Sequence, residues 1–312
     1  MSPKSFSAKV LECVLCEDPL RRCTFAYVGK LWASLRFIRF GNCVVAAATS
    51  LAGSWTAGSE WNRDKPYLLA LSVFCIAAFG NAYNDLCDLQ TDRVNRPNRP
   101  LVQGALSEIG ALRIAGWFLA IGLMVAAYAY VKALEIAVMV SIALFLYDRR
   151  LKARPLQGNL VIAGICAMTV VFGSLNGDWN RQVLILTVCA ASLTLAREIY
   201  KDIEDMPGDK AMGANTLPIA IGARKASLVA LLPMLFTVAF VLYRIFSSTP
   251  DWTPAYVLGA VLCAGLIWTS ALSFVTRSAH GWGRRSLEVK MWIVVGVLWV
   301  LAWRLPVEWF HI

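Results

Sequence analysis

Long apolar runs constrain this chain more than any other feature, because they occupy most of its length. Most approach the roughly 20 residues that an α-helix needs to cross the hydrocarbon core of a bilayer. They lie at 34–54, 67–84, 110–131, 133–147, 158–176, 182–200, 226–246, 254–275 and 289–305. Only 16% of the 312 residues are charged, whereas a soluble domain usually has about 25%. The sequence therefore predicts an all-α integral membrane protein with nine transmembrane helices.

The distribution of basic residues predicts how these helices are oriented. If successive runs cross the bilayer in alternate directions, 24 of the 30 lysines and arginines fall on one side. The other six are Arg63, Lys65, Lys132, Arg181, Arg244 and Arg304. By the positive-inside rule, the N-terminus and the even-numbered loops face the cytoplasm, and the C-terminus lies on the opposite side. Most of the net charge of +10 then reflects the orientation of the helices in the membrane, and it does not indicate nucleic-acid binding.

The first thirty residues differ from the rest of the chain. They contain charged residues throughout and no uninterrupted apolar core, so they do not resemble a cleaved secretory signal. We interpret 1–30 as a cytoplasmic, amphipathic arm and 31–312 as the transmembrane domain. The chain has nine scattered cysteines, and no histidine or second pair completes a zinc site with Cys13 and Cys16.

The second apolar run ends in a cluster of carboxylate and amide side chains. Six of them share an arc of about 100° on one helix face: Asn81, Asn84, Asp85, Asp88, Asp92 and Asn95. Carboxylates crowded on one face repel each other, so a cluster at the end of a span requires a counter-ion. Oxygen ligands without histidine or thiolate suit Mg²⁺, which commonly also binds phosphate oxygens. The cluster therefore predicts a magnesium-bound polyphosphate.

The sixth run ends in a second acidic cluster. Three carboxylates fall within an arc of about 60° of a helix: Glu198, Asp202 and Asp205. We expect Pro207 and Gly208 to end this helix, which leaves Asp209 on a loop able to fold back over the site. Because the two clusters end the second and sixth runs, they face the same side of the membrane.

Several other polar residues near this end of the runs are candidates for substrate binding. They are Arg39, Asn42, Tyr147, Arg149, Lys152, Lys201 and Lys210. Because a charged residue within a span is unusual, we expect Arg39 to face the protein interior, with snorkelling to the headgroups as the alternative. Gly158 and Asn159 open the fifth run, which we interpret as close packing or a helix start.

With both clusters identified, the chain resembles the UbiA superfamily of intramembrane prenyltransferases over about residues 30–305. One motif is N-D-x-x-D-x-x-x-D, followed by N-R-P-N-R-P-L; it contains Asn84, Asp85, Asp88 and Asp92. The other is D-x-x-D-x-x-G-D, followed by T-L-P-I; it contains Asp202, Asp205, Gly208 and Asp209. The sequence around the second motif looks most like that of the superfamily branch that makes digeranylgeranylglyceryl phosphate.

The resemblance implies a fold, a reaction and a role for each matching residue. The fold would be a helical bundle around a central cavity with a cytoplasmic cap. The reaction would be Mg²⁺-dependent transfer of a prenyl group from an isoprenyl diphosphate to a lipophilic or aromatic acceptor within the membrane. Two Mg²⁺ ions would be held by Asn84, Asp88, Asp92, Asp205 and Asp209. Asp85 and Asp202 would support these ligands or reach the acceptor, so Asp85, Asp88, Asp202 and Asp205 are the catalytic candidates. Arg39, Lys152 and Lys201 would bind diphosphate oxygens, and Tyr147 would line the pocket.

Two other functions are compatible with parts of this pattern. A terpene cyclase of the same superfamily would have the same motifs, but it would quench the allylic cation with the prenyl chain's own double bonds and use no acceptor. A polytopic cation transporter could also carry carboxylates in its spans. Here, however, the carboxylates end spans on one side, with no counterpart on the other side to complete a path.

Overall fold

The computed structural model describes residues 31–59, 64–247 and 254–302, so the predicted arm at 1–30 lies outside the described residues. The described chain is helical throughout, as expected. Its α-helices are α1 (Phe40–Thr56), α2 (Lys65–Cys87), α3 (Leu89–Asn95), α4 (Glu108–Ala129), α5 (Val131–Leu146), α6 (Gln157–Ser174), α7 (Arg181–Ala211), α8 (Leu217–Ile221), α9 (Ala223–Phe246), α10 (Pro254–Ser273) and α11 (Ala279–Ala302). A short helical stretch at 31–37 precedes α1, and a π-helical turn, Tyr147–Leu151, follows α5.

Six of the described helices are long and apolar enough to cross a membrane: α2, α4, α6, α7, α9 and α10. Their outer surfaces expose large apolar side chains, among them Trp117, Met124, Leu232 and Trp268. Exposed apolar surface of this extent requires a non-aqueous neighbour. The protein is therefore a multi-pass integral membrane protein.

The helices form a bundle with two packed halves. In one half, α7 packs against α9 and α11, and α10 packs against α11, around buried residues such as Tyr200, Met234 and Leu266. In the other half, α2 packs against α1 and α4, around residues such as Phe37 and Ala111. Helix α6 joins the halves, because it packs against both α1 and α7.

The sequence predicted that Arg39 lies within a continuous first helix, but the structure interrupts the helix at this residue. The helical stretch at 31–37 stops, Arg39 adopts a left-handed conformation with φ of 52°, and α1 begins at Phe40. This conformation costs about 1–2 kcal/mol for a residue other than glycine. It is offset by the ion pair of Arg39 with Asp85, described below.

The prediction that Pro207 and Gly208 end the sixth span is wrong. Helix α7 runs for 31 residues through Pro207, to Ala211. The Asn95 side-chain oxygen accepts a hydrogen bond from the Gly208 amide at 2.9 Å, so a tertiary contact supports the backbone where proline interrupts the helix. Asp209 is therefore buried on the helix rather than placed on a loop.

The helix that contains the last predicted run is longer than expected at its N-terminal end. Helix α11 begins at Ala279, ten positions before the predicted run starts at 289. Lys290, which the charge count placed on the cytoplasmic side, therefore lies in the middle of a helix. Its position matters for the cavity described below.

Two glycines allow α1 and α6 to pack with their backbones almost in contact. A Cβ atom on Gly173 would lie 1.9 Å from the Ser50 carbonyl oxygen, and one on Gly53 would lie 2.3 Å from the Val170 carbonyl oxygen. Small residues at such crossings let membrane helices approach closely.

We expect Gly173→Ala to destabilise the protein by about 1–3 kcal/mol, because the new methyl group has no space and must push the helices apart. The measurement is the midpoint of thermal unfolding in detergent. Gly164→Ala on the same helix is the matched control, because no atom lies within 4 Å of its added Cβ. Equal midpoints for the two variants would contradict the packing.

Candidate active site

Two arginines bind the start of the first acidic cluster. The Arg39 guanidinium donates to an Asp85 carboxylate oxygen at 2.5 Å and to the Asn84 amide oxygen at 3.1 Å. Arg99 donates to the same Asp85 oxygen at 2.9 Å and also pairs with Asp92. Since Asp85 and Asp92 are buried, each negative charge requires such a partner.

Lys152 and Arg99 set the protonation of the next two carboxylates. Burial alone would raise the pKa of Asp88, but the Lys152 ammonium hydrogen-bonded to it, together with Lys201 and Arg99, outweighs burial and holds the pKa below its usual value. Burial raises the pKa of Asp92 to about 6, with added repulsion from Asp88 and Asp85, although Arg99 opposes the shift. Asp92 is thus the less fully compensated of the two, and additional positive charge nearby would favour its ionised form.

Carboxylates of the second cluster are held by partners from two other parts of the chain and by a lysine of their own helix. Asn159, at the start of α6, donates to Asp202 at 2.7 Å. Arg96, just after α3, donates to Asp205 at 2.9 Å. Lys201 lies 3.9 Å from Asp205 on the same helix. Asp202 and Asp205 therefore have fixed positions.

Asn95 connects the two clusters directly. Its amide nitrogen donates to the Asp205 carbonyl oxygen, and its amide oxygen accepts from the Gly208 amide, both at 2.9 Å. A Cβ on Gly208 would lie within 2.6 Å of the Asn95 side chain, so only glycine permits this contact. The side chain thus fixes α3 against the C-terminal part of α7.

The clusters lie at the same end of the bundle, as their positions in the sequence predicted, and they face each other across a shared group of cations. Lys201, on the second cluster's helix, acts electrostatically on Asp88 of the first cluster. Lys152, which pairs with Asp88, acts on Asp209. Asp88 also acts on Asp209 as a like charge. The carboxylates of both clusters therefore contribute to one local field.

Within the described residues, no three acidic, histidine or cysteine side chains are close enough together to hold a metal ion. Arginine and lysine side chains form ion pairs with these carboxylates, as described above, and hold them apart from one another. The donor set itself fits Mg²⁺, since it consists of carboxylate and amide oxygens. Binding of the ion would require Lys152 and Arg99 to turn from the carboxylates towards other anions, such as phosphate oxygens.

A cavity of about 290 Å³ extends from this site into the bundle. Its mouth is polar, with Arg39, Asn84 and Asp148 among the lining residues, and its interior is apolar. On α7 the lining side chains recur with helical periodicity from Ile185 to Lys201, a length of about 24 Å at 1.5 Å per residue. The cavity can therefore hold a long apolar chain with a charged group at its mouth.

The structure places most of the predicted substrate-binding residues at the site, but not all. Arg39, Asn42, Tyr147 and Lys201 line the cavity, and Lys152 contacts Asp88. Two others are exposed and outside the cavity lining: Arg149 and Lys210. Arg149 instead donates to the Tyr83 hydroxyl at 2.8 Å.

Sequence reasoning missed several side chains that belong to the site. They are Arg96, Arg99, Asp148, Asn159, Arg197 and Lys290. Asn159 had been interpreted as a packing or helix-start residue. Asp148 directly follows the candidate Tyr147, accepts from the Asn84 amide at 2.6 Å, and has a pKa raised to about 6, chiefly by burial. The adjacent candidates on both sides of it were the signal that could have identified it.

Comparison with known proteins places this arrangement in a family. The profile of the UbiA prenyltransferase family matches residues 45–304. The chain belongs to the UbiA prenyltransferase family. It is accordingly a prenyltransferase, an enzyme that transfers alkyl groups larger than methyl.

Similar UbiA proteins include digeranylgeranylglyceryl phosphate synthases of archaea. That of Methanothrix thermoacetophila is 39% identical over 208 residues, covering 65% of this chain and 78% of the relative. That of Metallosphaera sedula is 32% identical and covers 89% of this chain and 98% of the relative. A solved structure of digeranylgeranylglyceryl phosphate synthase in membranes matches with a TM-score of 0.65 and 30% identity, over 87% of this chain and 97% of that one.

A more distant UbiA homologue shows the shared fold. The Archaeoglobus fulgidus protein, solved with GPP and Mg²⁺, matches with a TM-score of 0.63 at 18% identity, over 86% of this chain and 99% of that one. At this identity the likeness concerns the helical bundle alone.

We expect Asn95→Ala to reduce prenyltransferase turnover by about tenfold or more, because it removes two interhelical hydrogen bonds of about 1 kcal/mol each. Both bonds fix the relative position of the acidic clusters. Steady-state turnover of the purified protein is the measurement. Asn98→Ala is the matched control, since this asparagine is exposed and contributes only its backbone oxygen to Arg36. A variant at 95 as active as the control would show that the contact is dispensable.

Proposed function

We propose that this enzyme transfers a geranylgeranyl group from its diphosphate to a lipophilic acceptor built on glyceryl phosphate. The observation that carries the proposal is the cavity, which joins a charged mouth between two acidic clusters to a long apolar interior. Such a shape suits a donor with a diphosphate head and an isoprenoid tail. The named product of the similar synthases, digeranylgeranylglyceryl phosphate, supports the choice of donor and acceptor.

We assign binding of Mg²⁺ to the oxygen-bearing residues of both clusters. The ligands would be Asn84, Asp88, Asp92, Asp205 and Asp209. When bound, the ions would neutralise the negative charge that develops on the leaving diphosphate. The binding of Mg²⁺ with a prenyl diphosphate in a protein of this fold supports the assignment.

The lysine and arginine side chains of the site would bind the diphosphate, which complements the binding of metal by the carboxylates. Arg39, Lys152 and Lys201 pair with carboxylates, and we propose that they turn to the diphosphate oxygens when donor and metal bind. Positive groups held where charge develops stabilise the transition state more than the ground state. Tyr147, which is buried and lines the cavity, would close the side of the diphosphate pocket.

Asp85 and Asp202 complete the proposed machinery. Asp202 is oriented by Asn159, and we assign it the proton that the acceptor hydroxyl releases, whereas Asp85 holds Arg39 in place. The apolar cavity lining would exclude water from the allylic cation. This exclusion matters because water would otherwise quench the cation before the acceptor does.

We further propose that residues 31–312 form one transmembrane domain with nine spans. Besides the six long apolar helices, α1 and α5 are apolar but have only 17 and 16 residues, and α11 has 24 residues with charges near its start. The excess of basic residues supports an orientation in which both acidic clusters face the cytoplasm.

The proposed reaction predicts Mg²⁺-dependent formation of a doubly prenylated glyceryl phosphate. The purified enzyme is incubated with geranylgeranyl diphosphate and a monoprenylated glyceryl phosphate, and the products are identified by mass spectrometry. Asp88→Ala and Asp205→Ala should each reduce the rate by about a hundredfold or more, because each removes a charge next to the developing diphosphate.

Glu108→Gln is the matched control for this assay. Its carboxylate is exposed at the same end of the bundle and begins α4. Thermal unfolding shows whether each variant is folded. Substantial turnover in both aspartate variants would contradict the metal assignment. A cyclised hydrocarbon formed without acceptor would instead identify a cyclase.

The proposed orientation predicts cytoplasmic access to both acidic ends. In a cysteine-free background, Arg93→Cys and Lys210→Cys should both react with a membrane-impermeant maleimide added from the cytoplasmic side. Asp178→Cys, which precedes α7 at its other end, should react only from the opposite side. Labelling of the first two positions from different sides would overturn the topology.

A further inference from the structure

We propose that Lys290, Arg197 and Asn42 form a second anion site, which binds the phosphate group of the acceptor. This inference rests on the proposed function and assigns three residues to which the proposed function gives no role. The three residues come from three helices, α11, α7 and α1, and all of them line the cavity.

Lys290 is a cation whose charge is poorly compensated. Its ammonium donates to the Asn42 amide oxygen at 2.5 Å, and no ion pair to a carboxylate is found for it within the described residues. Arg197 and Arg39 are close enough to act on it as like charges. An ammonium that lines a mostly apolar cavity, next to other cations, requires an anion for the same reason that the acidic clusters require cations.

Arg197 adds a second positive group to the same part of the cavity. It pairs with the buried Glu198, and its backbone oxygen accepts from Ser286 of α11 at 3.4 Å, which places α7 beside the helix of Lys290. Asn42 uses its amide oxygen for Lys290 and keeps two N–H donors for a ligand. Together these groups match a phosphate monoester, which presents several oxygens and a charge near −2.

Arg197 pairs with Glu198 of the second cluster, but it lies on a different side of α7 from Asp202. Arg197 and Asp202 are five residues apart on α7, which separates their directions by about 140°. The Asp202 side chain contacts Asn159 of α6, whereas the Arg197 guanidinium acts electrostatically on Lys290 of α11. A donor diphosphate held at the clusters and an acceptor phosphate held at Lys290 would thus occupy different sides of the cavity, and their negative charges would be kept apart.

The position also agrees with the length of the proposed acceptor. Arg197 lies one helical turn deeper than Lys201, about 6 Å along α7, between the charged mouth and the apolar interior. An acceptor anchored there by its phosphate could direct its free hydroxyl towards the mouth, where the donor's reacting carbon would lie. Its own prenyl chain would remain in apolar surroundings.

The test is a binding measurement that does not depend on turnover. A radiolabelled monoprenylated glyceryl phosphate is bound to the purified protein in neutral detergent, without donor or Mg²⁺. We expect Lys290→Gln and Asn42→Asp to raise its Kd by about tenfold to a hundredfold, the effect of losing a hydrogen bond to a charged group. Lys290→Arg should retain most of the affinity. Arg150→Gln is the matched control, because Arg150 is exposed and outside the cavity lining.

Three results would overturn the assignment. One is an unchanged Kd, or no measurable binding even by the wild type. Another is a larger effect of Lys290→Gln on the Kd of geranylgeranyl diphosphate, which would place the donor at this site. The third is displacement of the label by phosphatidylglycerol at equal concentration, which would identify a general lipid headgroup site. The dephosphorylated acceptor provides the specificity control, since the wild type should prefer the phosphate and Lys290→Gln should lose this preference.

A measurement of turnover distinguishes a failure of this inference from a failure of the proposed function. If the wild type forms the doubly prenylated product and Lys290→Gln binds the acceptor normally, only the anion site is wrong. If the wild type binds the phosphorylated acceptor through Lys290 but forms no product from it, the anion site stands and the proposed reaction is wrong.

Discussion

The structure depends on the compensation of charges that helices carry into an apolar bundle. Isolated buried carboxylates are too costly to remain ionised, and this protein pairs them with cations from distant parts of the chain. Arg39 reaches Asp85 across 46 residues, and Arg96 reaches Asp205 across 109. These pairs also determine how the ends of α2, α3 and α7 are arranged. Since breaking a buried pair is far more costly than never forming it, the cations can leave the carboxylates only when other ions replace them.

This exchange links folding to catalysis. Lysine and arginine side chains pair with the carboxylates, so the negative charges of the site have partners within the chain. When metal and diphosphate enter together, the ions can neutralise the carboxylates and the cations can bind phosphate, so the total charge of the site changes little. Such a site favours binding of a metal–diphosphate pair over either component alone, because each component alone would leave charges uncompensated. Asp92, with a pKa raised to about 6 chiefly by burial, is one position where additional positive charge is favourable.

The sequence was sufficient to predict features that depend on composition and periodicity. Hydropathy indicated a helical membrane protein, and the order of the apolar runs placed Asp88 and Asp205 at span ends on the same side. Prediction from the sequence failed where a tertiary contact overrides a local conformational preference. Pro207 and Gly208 end helices in most contexts, yet here the Asn95 side chain satisfies the Gly208 amide and α7 continues. It also failed for side-chain partners, because nothing in the local sequence indicates that Asn159 would reach Asp202.

Lys290 shows why the count of basic residues alone could not locate the site's second cationic region. A lysine near a predicted span boundary counts towards topology whether it faces the cytoplasm or a cavity, since the positive-inside rule registers charge and not direction. Only the early start of α11 at Ala279 and the contact with Asn42 distinguish the two. The same helix start brings Ser286 to Arg197, so one boundary determines both the packing of α11 on α7 and the position of its charge. A membrane enzyme that binds two anionic substrates requires cations inside its cavity. A count of basic residues by membrane side includes such cations together with those that face the cytoplasm.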